Sequence, residues 1–167
     1  MTWTITPEGY DSPAAAALWR AYYTEVSDRW YLLREGRRTD PAELERALAA
    51  PPGADLAPPT GGLLVGRYDG EAAGCAGVRL LAPDTAELTR VFVAAGLRGR
   101  GGAALLVAAA EEAARALGAR RIVLDTRSDL VEARALYARL GYTETAAHNA
   151  DVYAAHWFRK ELVSSSS

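Results

Sequence analysis

Alternating β-formers from Trp3 to Thr6 stop at Pro7, a pattern that predicts a short first strand. The period then changes. Trp19, Tyr23, Val26 and Trp30 recur at spacings of four, three and four, the repeat of one helix face, between a Ser12-Pro13 start signal and Gly36. Thr39-Asp40-Pro41 opens a second helix over Ala42 to Ala50, and Pro51-Pro52-Gly53 closes it. Residues 51 to 62, rich in Pro, Gly and Ala, read as a surface loop. Gly62 to Tyr68 and Glu71 to Leu80 are β-rich runs joined by Asp69-Gly70, which suits a type I′ turn because both central positions need positive φ. Pro83-Asp84 breaks the second run, and Ala86 to Val93 makes another strand. After a Gly-rich loop, Ala103 to Leu117 predicts an Ala/Leu helix capped by Gly118, with Glu111 and Arg115 as an i,i+4 pair.

Ile122-Val123-Leu124 is a short continuous apolar run, the mark of a strand covered on both faces. One helix joins it to the preceding strand, so the two should lie parallel with a right-handed crossover. Asp129 and Glu132 are placed as a capping box for a helix carrying Ala133, Leu136, Tyr137 and Leu140, which Gly141 ends. Tyr142 to Thr145 and Val152 to Lys160 are read as the final strands, and Ser164 to Ser167 as a disordered tail. No internal repeat is visible. The predicted order is mixed α/β, with antiparallel hairpins flanking one central strand-helix-strand unit.

A chain of 167 residues suits one domain, expected over 1–163 with 164–167 as the tail. Half the residues are apolar and 24% are charged, as in soluble globular proteins. A net charge of −2 gives no general attraction for nucleic acid phosphates. The apolar stretches end well before the ~20 residues that a membrane span needs, and no leader pattern opens the chain. A single cysteine, Cys75, cannot close an internal disulfide, which makes the cytoplasm the default expectation. Among 19 Lys and Arg residues Lys160 is the one lysine, a bias that by itself carries no function.

The stretch from Glu87 to Ala103 runs from a strand through a Gly-rich loop into a helix. Amides at a helix start lack internal partners and carry the positive end of the dipole, and glycine lets an anion approach the main chain. Arg98 and Arg100 add charge at the same place. No Lys-Ser or Lys-Thr follows the glycines, which disfavours triphosphate hydrolysis. Gly99, Gly101 and Ala104 fit G-x-G-x-x-A, but five residues separate the strand from Gly99 and no acidic residue ends a strand about 20 residues on, against a dinucleotide site.

Arg98-Gly99-Arg100-Gly101-Gly102-Ala103 matches R/Q-x-x-G-x-G/A, and Ala133 to Tyr142 matches A-x-x-L-Y-x-x-x-G-F/Y. In order and spacing the two motifs resemble those of the GCN5-related N-acetyltransferases (GNAT). The resemblance is firm from about Leu63 to Thr145 and looser before it. It implies a largely antiparallel mixed sheet with a central splayed parallel strand pair and flanking helices. By the same resemblance, acetyl-CoA would be held by main chain near Phe92 and Val93 and by the loop residues Arg98, Gly99, Arg100, Gly101, Gly102 and Ala103. Tyr137 would stand beside the thioester sulfur as proton donor. Glu87 would act as general base, because an alkyl amine with a pKa near ~10 must lose a proton before it attacks. The implied activity is direct acetyl transfer to a primary amine of a small molecule or peptide in a ternary complex, and a homodimer is compatible with it. The family commonly has Asn seven residues before the tyrosine. Leu130 stands there, beside Asp129, so a noncatalytic acyl-CoA-binding regulatory module is the alternative.

The resemblance places the acceptor between the first helical region and the C-terminal strands, pointing to Asp28, Trp30 and Tyr31, then Asn149, with His148 and Tyr153 nearby. The stripe of Trp19, Tyr23 and Trp30 reads first as core and second as a stacking surface. Glu25, Asp28 and Glu87 would favour a cationic amine, although acidic residues on a helix are usually its solvated face. His148 and His156 lack partners at ligand spacing, so no metal is expected, and Cys75 reads as a buried small side chain.

Overall fold

The computed structural model describes residues 2–162 apart from 51, 129 and 152. In chain order the elements are β1 (Trp3–Glu8), α1 (Pro13–Glu35), α2 (Pro41–Ala49), a 3₁₀ turn (Ala54–Leu56), β2 (Gly61–Tyr68), β3 (Glu71–Ala82), β4 (Thr85–Val93), a second 3₁₀ turn (Ala95–Leu97), α3 (Gly102–Ala116), β5 (Arg121–Thr126), α4 (Val131–Arg139), β6 (Thr143–Thr145) and β7 (His156–Glu161). The strands form one sheet in the order β1-β2-β3-β4-β5-β7-β6. β4 and β5 are parallel, and the other pairs are antiparallel.

Local chemistry explains the boundaries of the first helices. The Ser12 side chain accepts from the Ala15 amide, and Gly36 ends α1 at φ +69°. Asp40 caps α2 through the Ala42 amide. The β2–β3 turn has Asp69 at φ +51° and Gly70 at +86°, the two positive angles that a type I′ turn needs. Alternation along β2 divides the core between the sheet faces. Leu64 joins Leu106, Val107 and Ala110 of α3 and Tyr137 of α4, while Leu63 and Val65 join Leu18 and Trp19 of α1.

The structure departs from the sequence expectations where tertiary partners override local pattern. β1 continues through Pro7 to Glu8, because an edge strand has one unpaired side on which a missing N–H costs nothing. The segment read as a surface loop carries the 3₁₀ turn, with Leu56 only 2% exposed under the sheet. Glu111 pairs with Lys160, and Arg115 pairs with Glu112. The expected capping box cannot be traced through Asp129; Leu130 is the N-cap of α4 without a side-chain bond, and Glu132 pairs with Arg29 of α1. Asp129 itself lies outside the described residues. The last strand starts at His156 rather than Val152, because Asn149 and Asp151 fold the preceding chain by accepting from the Asp151 and Tyr153 amides. Val152 and the expected tail, Ser164 to Ser167, fall outside the described residues.

Glu111 turns inward to join three elements. Lys160 Nζ of β7 lies 3.1 Å from both its oxygens and 2.9 Å from the Leu140 carbonyl, and the Tyr142 hydroxyl donates to Glu111 Oε2 at 2.9 Å. Burial first, and then the Glu111 charge, push the Tyr142 phenol well above its ordinary range, so it remains a donor. Lys160→Met removes the cation and leaves a buried carboxylate with one neutral donor. It should cost about 2–3 kcal/mol in urea denaturation, and Glu111→Gln added to it should recover part of that loss.

Candidate active site

The parallel pair holds together only at its start. Thr85, Ala86 and Glu87 face Arg121, Ile122 and Val123, after which β4 and β5 part. Each strand follows its outer neighbour: β5 stays paired to β7 as far as Thr126 with His156, and β4 stays with β3 as far as Val93 with Gly74. On β4 the register slips, since Thr89 faces Gly77 while Phe92 faces Cys75, so Arg90 and Val91 together oppose Ala76. That is a β-bulge, and Arg90 takes φ +55° within it. Its side chain anchors the bend. Nε donates to the Tyr23 hydroxyl at 3.2 Å, the two terminal nitrogens reach Asp55 at 3.1 and 3.3 Å, and the guanidinium lies 5.7 Å from the Trp19 ring.

The gap opens at the carboxyl ends of both strands, where α3 and α4 begin, and becomes a cleft of about 750 Å³. Ligands characteristically bind at this place in sheets with parallel strands. Gly102 and Ala103 bring the α3 N-terminus to its lining. No side chain caps that helix start, which leaves its first amides free to face an anion. Gly99 and Gly101 have φ of +79° and +81°, and a Cβ built on either meets nothing within 4 Å. Gly102 differs: its Cβ would stand 2.3 Å from the Trp3 ring, whose Nε1 donates to the Arg100 carbonyl at 3.2 Å.

The two loop arginines point different ways. Arg98 folds back, donating from Nε to the Val93 carbonyl at 2.9 Å and from Nη2 to Glu25 of α1 at 2.5 Å. Arg100 lies toward the sheet edge on the Tyr68 hydroxyl, at 3.2 Å. Arg98, Gly99, Phe92 and Val93 line the cleft, whereas Arg100 and Gly101 are outside its lining.

Tyr137 lines the cleft and is 7% exposed, with its ring edge-on to Tyr142. Among the described residues its hydroxyl has no hydrogen-bond partner. Burial, then the nearby Tyr22 and Asp125, push the phenol well above its ordinary range, so it keeps its proton at neutral pH. Glu87 lines the same cleft, and its Oε1 accepts from Arg79 Nε at 2.8 Å. Trp30, Tyr31 and Tyr153 form another wall, with Trp30 edge-on to Tyr153 at 4.8 Å. The helical stripe divides: Trp19 is core, while Tyr23 and Trp30 face the cleft.

Asp28 and Asn149 stand outside the lining. Asp28 accepts from the Thr39 amide at 2.9 Å and ties α1 to the start of α2. Asn149 donates to Asp125 at 2.7 Å and accepts from Trp157 Nε1 at 3.1 Å, fastening the loop over the end of β5. His148 meets the Leu124 carbonyl at 3.2 Å. Cys75 is fully buried and its thiol is pushed up to about 12 by burial, so it stays protonated. Sequence reasoning passed over Arg79, Arg90 and Asp55. Arg79 was findable, because it and Glu87 lie four residues on either side of Pro83 and a hairpin there puts them opposite. Asp55 left no such signal in an aperiodic segment.

Residues 16–142 match the acetyltransferase (GNAT) family model. The chain belongs to the GNAT acetyltransferase family. The curated N-acetyltransferase YjgM of Escherichia coli strain K12, itself uncharacterized, is 38% identical over 78 residues, 45% of this chain and 47% of that protein. The match thus spans about half the curated relative. A GNAT-family acetyltransferase of Staphylococcus aureus superposes with TM-score 0.74 at 12% identity, over 97% of this chain and 100% of that one. The PaiA N-acetyltransferase of Thermoplasma acidophilum, solved with coenzyme A, gives 0.71 at 14% identity over 96% and 99%. A GNAT acetyltransferase of Elizabethkingia anophelis with acetyl-CoA bound gives 0.61 at 16% over 96% and 98%. These likenesses establish the fold. No helix among the described residues is long and apolar enough to cross a membrane.

Gly102→Ala should therefore displace Trp3 or the loop. The expected result is a lower melting temperature, by about 2–6 °C for a cost of 1–2 kcal/mol, together with weaker binding of acetyl-CoA in calorimetry.

Proposed function

We propose that this protein is an acetyl-CoA-dependent N-acetyltransferase that passes the acetyl group directly to a primary amine. One juxtaposition carries the reading: a protonated Tyr137 hydroxyl, unpartnered among the described residues, lines the same cleft as the open α3 N-terminus, at the parting of β4 and β5. The cleft suits a thioester of coenzyme A. The free α3 amides and the open glycines accept a diphosphate, and the bare edge of β4 beyond Glu87 offers backbone groups to the amides of an extended arm. Two of the structural neighbours carry coenzyme A or its acetyl ester.

Glu87 takes a proton from the acceptor ammonium through water. The amine nitrogen bonds to the acetyl carbon, the carbon–sulfur bond breaks, and the departing sulfur takes the Tyr137 proton. The proton lost from nitrogen as the amide forms restores Tyr137 through water. The products are the acetamide and the free thiol, with one proton released per turnover. Trp30, Tyr31 and Tyr153 wall the acceptor side. Leu130 in the cleft lining, where the resembled motif has an amide side chain, favours the noncatalytic module as the second reading.

Saturating acetyl-CoA at about 100 times its Kd should stabilise the protein by roughly 2.7 kcal/mol and raise the melting temperature by about 5–10 °C, whereas NAD and inorganic pyrophosphate should not. No selective rise would defeat both readings. Binding without acetylation across a panel of amines would favour the noncatalytic module.

With an acceptor identified, Tyr137→Phe should lower kcat by roughly 10²- to 10⁴-fold. Because burial holds the phenol above its usual value, wild-type activity should show no loss from Tyr137 ionisation up to about pH 10. Wild-type turnover by the Phe variant would remove Tyr137 from the chemistry.

A further inference from the structure

Asp55 belongs to the 3₁₀ turn between α2 and β2, yet its carboxylate is where two guanidinium groups of the cleft meet. Oδ1 lies 3.1 Å from Nη2 of Arg90, and Oδ2 lies 3.3 Å from Nη1 of Arg90 and 3.6 Å from Nη1 of Arg79. Arg79 in turn holds Glu87 Oε1 at 2.8 Å. Glu87, Arg79, Asp55 and Arg90 thus form one row of alternating charge, which ends on the Tyr23 hydroxyl. Glu87 is 13% and Arg90 17% exposed at the side chain, so their mutual fields are screened less than those of surface charges. The turn that presents Asp55 is fixed. Its neighbour Leu56 is buried, the Leu56 amide donates to the Gly53 carbonyl at 2.8 Å, and the bare Cα of Gly77 makes room for the Leu56 side chain.

We propose that Asp55 is a positioning residue for Glu87, acting through Arg79. It fixes the guanidinium that orients the Glu87 carboxylate and offsets the positive charge beside it. The inference rests on the reading of Glu87 as proton acceptor. Without Asp55 the row would hold two arginines and one carboxylate and would carry a surplus positive charge. Asp55 brings the row to neutrality. Other charged or titratable groups of the cleft include Tyr22, Glu25 and Tyr31 on α1, Glu43 on α2, Asp125 on β5 and Arg127 after it, and the Cys75 thiol of β3 donates to the Arg90 carbonyl at 3.4 Å. Glu43 accepts from the Tyr31 hydroxyl at 2.6 Å and Asp125 from Asn149, and neither touches Arg79 or Arg90. Neither can take over the role of Asp55.

The test is a pH titration of the Glu87 carboxyl carbon by NMR in the wild type, Asp55→Asn and Asp55→Glu, alongside pH–rate profiles and acetyl-CoA binding. In Asp55→Asn a negative charge is lost near Glu87, so the titration should move to lower pH by about half to one unit. The acid limb of kcat/KM should move the same way and kcat should fall roughly tenfold, while the acetyl-CoA Kd holds. Asp55→Glu should restore most of both. A Glu87 titration at the wild-type pH in the folded Asn variant overturns the proposal, even if melting temperature and rate both fall, because a merely structural role predicts that result. A titration that moves while Glu87→Gln acetylates at the wild-type rate leaves the electrostatic link standing and removes Glu87 as proton acceptor. The carboxyl titration needs no acceptor, so it decides the link independently of turnover.

Discussion

The parting of β4 from β5 after Glu87 is the constraint on which the rest of the molecule depends. Two parallel strands that separate leave main-chain donors and acceptors without partners on both inner edges, and such groups must find others. Outer pairing keeps the strands apart: β7 holds β5 along its whole length, and β3 holds β4 through a bulge that adds one residue to its path. The bulge puts a non-glycine residue at positive φ, a conformation that survives only when its surroundings over-determine it. Tyr23, Asp55 and Trp19 supply that support around Arg90. The site therefore depends on contacts between β4 and α1 as well as on the strands themselves.

The two ends of the cleft use different physics. At the α3 end the groups offered are main-chain amides beside glycines that leave space, an arrangement that needs little from side-chain identity. At the other end the groups are side chains already bonded to one another: Arg79 with Glu87 and Asp55, and Arg90 with Asp55 and Tyr23. A ligand arriving at the first end meets free donors. One arriving at the second must fit among satisfied pairs.

This contrast also explains what the sequence made legible. The caps of α1, the Asp69-Gly70 turn and the Gly-rich start of α3 are local devices whose residues lie beside one another in the chain, and their chemistry could be read directly. The family motifs fall at the same end of the cleft. The departures involve partners distant in sequence. Glu111 bonds Lys160, 49 residues away. Glu132 reaches across to Arg29 on another helix, 103 residues away. The bulge at Arg90 arises from the register with β3, which no pattern within β4 announces. Asp55 sits in a stretch without period, so nothing short of the folded structure brings it to the two arginines.

Lys160 has a consequence of another kind. A protein that works beside an activated thioester exposes its own amines to the same acylating group. Here the ε-amine chemistry of the whole sequence is confined to one lysine, and that amine is held between the Glu111 carboxylate and the Leu140 carbonyl beside the Tyr142 ring. An ammonium held in this way is a poor nucleophile. The arginines that cover the surface stay charged and do not acylate under the same conditions. The molecule can handle an acyl donor without lysines that accumulate the donor's mark.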